Sequence, residues 1–431
     1  MNIINKFFDG TISKIQPNKN ICFFMLKYIF FIIVVGLIVD VSISVDYQIK
    51  MLFLSIVFIA VLFFSYDKNF KNKITRFKII LILLFISLGI CFLFNGIILK
   101  SNGYILYSMI YILIIPCFLI IKINWECNIK AFISGVYVSN WLFVIVSFII
   151  APINRTPGGY TSLVGNQNYL SALLSVFFIC LLIYNYINKG IFCKILIAVN
   201  LLFLILTQSR TGILVCSISF VIYILYLYKR KVLNKKDIVH SLVVFILAIL
   251  ASLAVFYFIT PNTYSYFEKN FSTVIKNINY VDDYDIKFSD SFLEKMGKGI
   301  LNSKGRLTSG RSEIWNEYIK HIEFKGHKKE TIEVYDNGII QERDAHNSIL
   351  QISYSGGILA GVILSLIFLL FFVFSIKNLI NIRRINIFNI FIIMIGFSYL
   401  ITSMFSSIYV PMSGLMSFCF YIFIGSLDYE R

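Results

Sequence analysis

Apolar runs of bilayer-spanning length follow one another along almost the whole of this 431-residue chain. They lie near residues 21–39, 49–65, 79–98, 103–121, 131–151, 169–187, 191–207, 211–228, 239–259, 355–376, 386–405 and 410–427. A helix needs about 20 apolar residues to cross the hydrocarbon core, so the spacing predicts about twelve transmembrane helices. Helices are expected rather than a barrel, because each run is continuous and does not alternate. Composition agrees, with 58% hydrophobic and 14% charged residues. Soluble domains average about 45–50% and about 25%. No globular core absorbs that excess, so an all-α polytopic membrane protein is expected.

The formal charge is +17. In a soluble protein that would suggest nucleic acid. Here the basic residues fall in short clusters between apolar runs, as topology signals do. No basic domain with interleaved aromatics stands outside the runs, so no nucleic-acid partner is expected. Lys68, Lys71, Lys73, Arg76 and Lys78 mark one connector as cytoplasmic, and the segment from Lys122 to Lys130 marks another. So do Lys189 with Lys194, Lys229-Arg230-Lys231 with Lys235-Lys236, and Lys377 with Arg383-Arg384. Alternate connectors then share one side, and both termini are expected in the cytoplasm. Lys6, Lys14 and Lys19 precede a first run long enough to span with no small-residue cleavage site after it, which predicts a retained helix. The eight cysteines form no C-x-x-C pair and mostly lie in apolar runs, where Cys acts as a small hydrophobe. Neither a metal site nor a cofactor is expected.

One polar interruption divides the chain. Residues 1–260 carry about nine of the predicted spans, residues 261–348 form a large extracytoplasmic loop, and residues 349–431 carry about three more. A loop beyond about 12–15 residues is usually functional or disordered. Mixed charges and aromatics predict a folded cap with short amphipathic helices.

Three residues stand out as chemically capable. Arg210, in Thr207-Gln208-Ser209-Arg210-Thr211-Gly212, falls on the outer side against the positive-inside bias. It is either an interfacial snorkelling Arg or a cation facing an anionic ligand at the membrane surface. Arg311 opens a helical pattern with Ile314, Trp315, Tyr318, Ile319 and Ile322 on one face and Glu313, Asn316, Glu317 and Lys320 opposite. At a helix N-terminus its guanidinium would bind phosphate oxygens bidentately, or else pair with Glu313 or Glu317. His346 lies in Asp344-Ala345-His346-Asn347-Ser348. If Asp344 caps the next helix, His346 sits in its first turn as a neutral base, or as a surface capping residue. His321 and His327 lack a third ligand and make a weak metal site.

These pieces, in this order, resemble the O-antigen polymerase / O-antigen ligase family of membrane glycosyltransferases. Gly165-Asn166-Gln167-Asn168-Tyr169-Leu170-Ser171 resembles its entry to a middle helix, and Gln208-Ser209-Arg210-Thr211-Gly212 its Ser-Arg-small motif. Gly310-Arg311-Ser312-Glu313-Ile314-Trp315 resembles its Arg-x-x-Ile-Trp motif. Ala345-His346-Asn347-Ser348-Ile349-Leu350-Gln351, followed by Gly356-Gly357 and Gly361, is similar to its His-Asn-x-x-Leu…Gly block. The chain departs from the family's Gly-x-Gly stretch with Phe324-Lys325-Gly326-His327. The resemblance implies metal-independent, inverting transfer of a polyprenyl-pyrophosphate-linked glycan to a glycan acceptor at the outer leaflet of a bacterial cytoplasmic membrane. Arg210 and Arg311 would bind the pyrophosphate and His346 would act as base. Asn347, Trp315, Asn168 and Arg155 would contact substrate. A flippase and a chain-length regulator are the implied partners. Polymerase and ligase share these motifs, and the polymerase is the first expectation. A transporter or flippase would show internal repeats and midplane charges, and neither is evident.

Overall fold

The computed structural model describes residues 5, 8–12, 16–43, 47–70, 74–151, 160–232, 235–260, 263, 266, 311–336, 339–408 and 414–427. The apolar runs fold as helices: α1 (Lys19–Ile43), α2 (Tyr47–Ser65), α3 (Arg76–Leu99), α4 (Asn102–Ile120) and α5 (Trp125–Ile150). They continue as α6 (Gln167–Asn188), α7 (Ile191–Leu206), α8 (Arg210–Lys229) and α9 (Lys235–Ala254). After the polar interruption come α10 (Arg311–Lys320), α11 (Ser348–Ser355), α12 (Ile358–Ile380), α13 (Ile387–Ser403) and α14 (Leu415–Phe423). Among the described residues 7 helices are long and apolar enough to cross a membrane. Shorter apolar helices at Ile56–Ser65, Ile191–Leu206, Ser241–Ala254, Ile387–Ser403 and Leu415–Ser426 account for the other runs. The protein is therefore a multi-pass membrane protein.

The apolar runs are helical as expected, and one element outside them is not. Within the polar interruption, β1 (Ile332–Asp336) pairs antiparallel with β2 (Ile339–Arg343), in a register that sets Asp336 opposite Ile339. Ile332, Val334, Ile339 and Ile340 supply the β-branched residues such a ribbon favours. Asn337-Gly338 between the strands is the strongest short hairpin signal a sequence can carry.

Contacts divide the chain into two compact units. One comprises Pro17–Ser65 and Trp125–Asn302. In it α1 packs on α5, and α6 packs on α5, α7 and α8. Small residues permit the tightest of these approaches: a Cβ at Gly212 would lie 2.7 Å from Ser171 Cβ, so α8 runs close against α6 at the level of Arg210. The other unit comprises Met1–Gln16, Tyr66–Asn124 and Ser303–Arg431. There α3 packs on α4 and α12, α11 on α12, and α13 on α14. Tyr399 of α13 is fully buried and donates to Ile408 O at 2.8 Å, fixing the segment that follows its own helix. That segment is bonded in turn to the start of α11: Ser348 Oγ donates to Ser406 O at 2.9 Å and accepts from Ile408 N at 3.0 Å.

Candidate functional site

The amphipathic pattern of α10 is realised in a narrower form than the sequence predicts. Tyr318 is buried and Ile314 and Trp315 half-buried, whereas Ile319 is exposed. Tyr318 joins Ile332, Ala345 and Tyr354 in a small apolar core, with Ile314 and Leu350 against it. This core ties α10 to the hairpin and to α11. Its polar edge is satisfied by Tyr318, whose hydroxyl lies 3.0 Å from both Glu330 O and Arg343 O. Burial and the charge of Asp344 push that hydroxyl's pKa up, so it remains a donor.

The peptide at Ala345 is held from two sides. Trp315 Nε1 donates to Ala345 O at 2.8 Å. Ala345 N donates to Gln351 Oε1 at 2.8 Å. Gln351 is buried, and its amide also donates to Glu330 O and accepts from Ser407 Oγ at 3.3 Å. One glutamine thus links the entry to β1, the residue before His346 and the segment after α13. A buried amide with this many partners rigidifies its surroundings, because leaving any of them unpaired costs about 1–3 kcal/mol.

His346 follows directly, and its backbone is in the left-handed region with φ 46. Histidine tolerates that region better than most residues, yet a non-glycine residue there is uncommon. The chain turns so that His346 Nδ1 comes within 2.9 Å of Asp344 Oδ1. Asp344 Oδ1 is buried, and among the described residues no donor reaches it with the angle of a directed hydrogen bond. The side chains are 36% and 39% exposed. The expectation that Asp344 caps the helix is corrected here. Asn347 is the N-cap, accepting from Ile349 N at 3.0 Å and Leu350 N at 3.1 Å. His346 stands just before the cap and outside the first turn. Both Asp and Asn cap well, and the left-handed bend at His346 settles the competition by delaying the helix.

Arg311 is half-buried at the first position of α10. Glu317, one of its two expected partners, is taken by Lys320 at 2.6 Å. Among the described residues Arg311 forms no ion pair, and its guanidinium lies 5.8 Å from the centre of the Phe405 ring. Burial lowers its pKa while the charge of Asp344 acts to raise it. Arginine keeps its proton regardless. A half-buried cation with idle donors is poised for an anion.

In the other unit Arg210 is exposed at the first position of α8, behind the N-cap Ser209. Ser209 Oγ accepts from Gly212 N at 3.3 Å and from Ser171 Oγ at 2.9 Å. The preceding Gln208 takes a left-handed φ of 56, which turns the chain sharply from α7 into α8. Asn168 lies in the first turn of α6, where Asn166 caps its amide at 2.8 Å. Arg155 lies outside the described residues.

The departure at Gly326 proves to be a close backbone contact. Gly326 has φ 67 and Gly357 φ 83. A Cβ on Gly326 would strike Ser355 O, and one on Gly357 would strike Phe324 O. His327 N donates to Tyr354 O at 3.0 Å, Ile358 N to Glu323 O at 3.1 Å, and Tyr104 Oη to His327 O at 2.6 Å. The His327 ring stacks on Tyr354 with centroids 4.1 Å apart. Gly357→Ala combines a forbidden φ with a backbone collision. It is expected to destabilise the unit by about 2 kcal/mol or more. A lower thermal midpoint in detergent would register this; an unchanged midpoint would mean that the contact is dispensable.

Sequence reasoning did not identify Asp344 as a partner of His346, nor Gln351 or Tyr318 as supports. No group of three or more His, Cys, Asp or Glu among the described residues is arranged to hold a metal ion.

Residues 195–365 match the family model described as O-antigen ligase. The matched stretch contains Arg210, Arg311, Trp315, Asp344, His346, Asn347 and Gln351. No curated protein and no solved structure matches the chain.

Proposed function

We propose that this chain, which carries an O-antigen ligase domain over residues 195–365, is a membrane glycosyltransferase that joins lipid-linked oligosaccharide repeat units into a surface polysaccharide. The observation that carries this is the approach of His346 Nδ1 to Asp344 at 2.9 Å, with the half-buried Arg311 within electrostatic reach of that carboxylate, inside the matched region. The donor is a glycan on polyprenyl pyrophosphate. Its anomeric carbon is attacked by an acceptor hydroxyl, the bond to the pyrophosphate oxygen breaks, and the pyrophosphate departs with the electron pair. The hydroxyl proton passes to His346. Arg311 pairs with the pyrophosphate as its negative charge grows. Displacement from the opposite face inverts the anomeric carbon, and no metal is required by these residues. Trp315 and Asn347 lie along the substrates.

The site faces the outer leaflet of a bacterial cytoplasmic membrane, with both termini inside. Residues 1–260 and 349–431 form the membrane body and residues 261–348 the outer loop. Donor supply then needs a flippase, and product length a chain-length regulator. The description of the matched family favours a second reading, in which the finished glycan is transferred to a different acceptor. Surface glycan from a strain lacking the gene separates the two. Single repeat units on the cell support polymerisation. Full-length chains retained on the lipid support ligation. An unchanged glycan profile would remove both.

A further inference from the structure

We infer that Asp344 is the positioning residue of His346, accepting a hydrogen bond from Nδ1–H so that Nε2 is the nitrogen presented to the acceptor hydroxyl. The inference rests on the proposed role of His346 as base.

Three observations converge. The contact of 2.9 Å is between the right atoms, Nδ1 and a carboxylate oxygen. Asp344 Oδ1 is buried, and among the described residues no other donor is bonded to it. A buried carboxylate oxygen without a donor is costly, and a small rotation of the imidazole satisfies it. Hydrogen bonds of this kind are often misaligned before substrate binds and tighten in the reacting complex. The third observation is the backbone. Asp344 and His346 flank Ala345, whose N–H and C=O are both held by buried or half-buried side chains. With Ala345 fixed and His346 at φ 46, the two side chains turn toward each other. Asp344 has no competing structural task, since Asn347 caps α11.

A neutral imidazole carries one proton. If a carboxylate holds it on Nδ1, the Nε2 lone pair is free to accept. When Nε2 takes the hydroxyl proton, the Asp344 carboxylate lies beside the positive charge that forms. Among the described residues, Arg311 on α10 also feels the charge of Asp344.

The test uses the full-length protein in lipid vesicles, with donor glycolipid purified from cells lacking the gene. Asp344→Asn keeps the shape and removes the charge. It is expected to lower kcat by about 10²-fold or more with KM within about 3-fold, because an asparagine there favours the wrong tautomer. Asp344→Glu should restore part of kcat. In a His346→Ala background Asp344→Asn should add almost nothing, since residues acting as one unit are not additive. Wild-type kcat in Asp344→Asn, alongside an inactive His346→Ala, would overturn the inference and leave the base role intact. An active His346→Ala would end the base role instead. Nitrogen NMR of imidazole-labelled protein then decides the positioning without any turnover. Wild type should show the His346 proton on Nδ1 at alkaline pH, and Asp344→Asn should not. A proton on Nε2 in the wild type would overturn the inference outright.

Discussion

Alanine at position 346 is expected to lower glycan transfer by about 10²–10⁴-fold, the usual contribution of a positioned general base. Folded protein should be nearly unaffected. His346 is 36% exposed, and among the described residues its ring contributes only the Asp344 contact. The complication is its backbone, because φ 46 disfavours alanine. His346→Asn resolves this. Asparagine tolerates the left-handed region and removes only the proton-accepting nitrogen. Turnover of lipid-linked donor in vesicles, compared at equal amounts of monodisperse protein, reads the chemistry. Both variants should be inactive, and the asparagine variant should unfold at the wild-type temperature. Measurable turnover at more than a tenth of wild type in His346→Asn would mean that another group takes the hydroxyl proton.

The membrane body was legible because hydrocarbon imposes one rule on every run: length and apolarity suffice, whatever the neighbours. Where that rule stops, local patterns compete. At residues 344–348 two good capping residues stood three apart, and the choice between Asp344 and Asn347 depended on a bend at His346 that no propensity specifies. The β-hairpin was readable from Asn337-Gly338 between β-branched residues, but the expectation of a helical cap passed over it. Gln351 was invisible for a different reason. Its side chain bonds to residues 330, 345 and 407, so its role exists only once the chain has folded. Arg311 and His346 were found because charged and titratable side chains are scarce here. With 14% charged residues and four histidines, each polar group outside the basic clusters needs an explanation. The ordered motifs supplied one, and the family match over residues 195–365 is consistent with it.

Replacing Arg311 should lower turnover by about 10²–10³-fold, the range seen when a donor to developing negative charge is removed. Lysine should not restore it. Arg311 reaches the site from the first position of α10, half-buried beside Phe405, where a planar guanidinium can lie along the ring and still offer two parallel N–H groups. An ammonium is a more strongly hydrated point charge and gives up that geometry. The stability of the variants separates function from structure. Among the described residues Arg311 has no ion-pair partner, and burial already disfavours its charge. Its loss should therefore leave the thermal midpoint unchanged or slightly higher, as happens when a site is built for its ligand at some expense to the fold. A structural arginine would behave in the opposite way, with Arg311→Ala less stable and Arg311→Lys partly rescued in stability and activity together. Wild-type turnover in Arg311→Lys would reduce the role to simple charge attraction, and it would then weaken steeply with added salt.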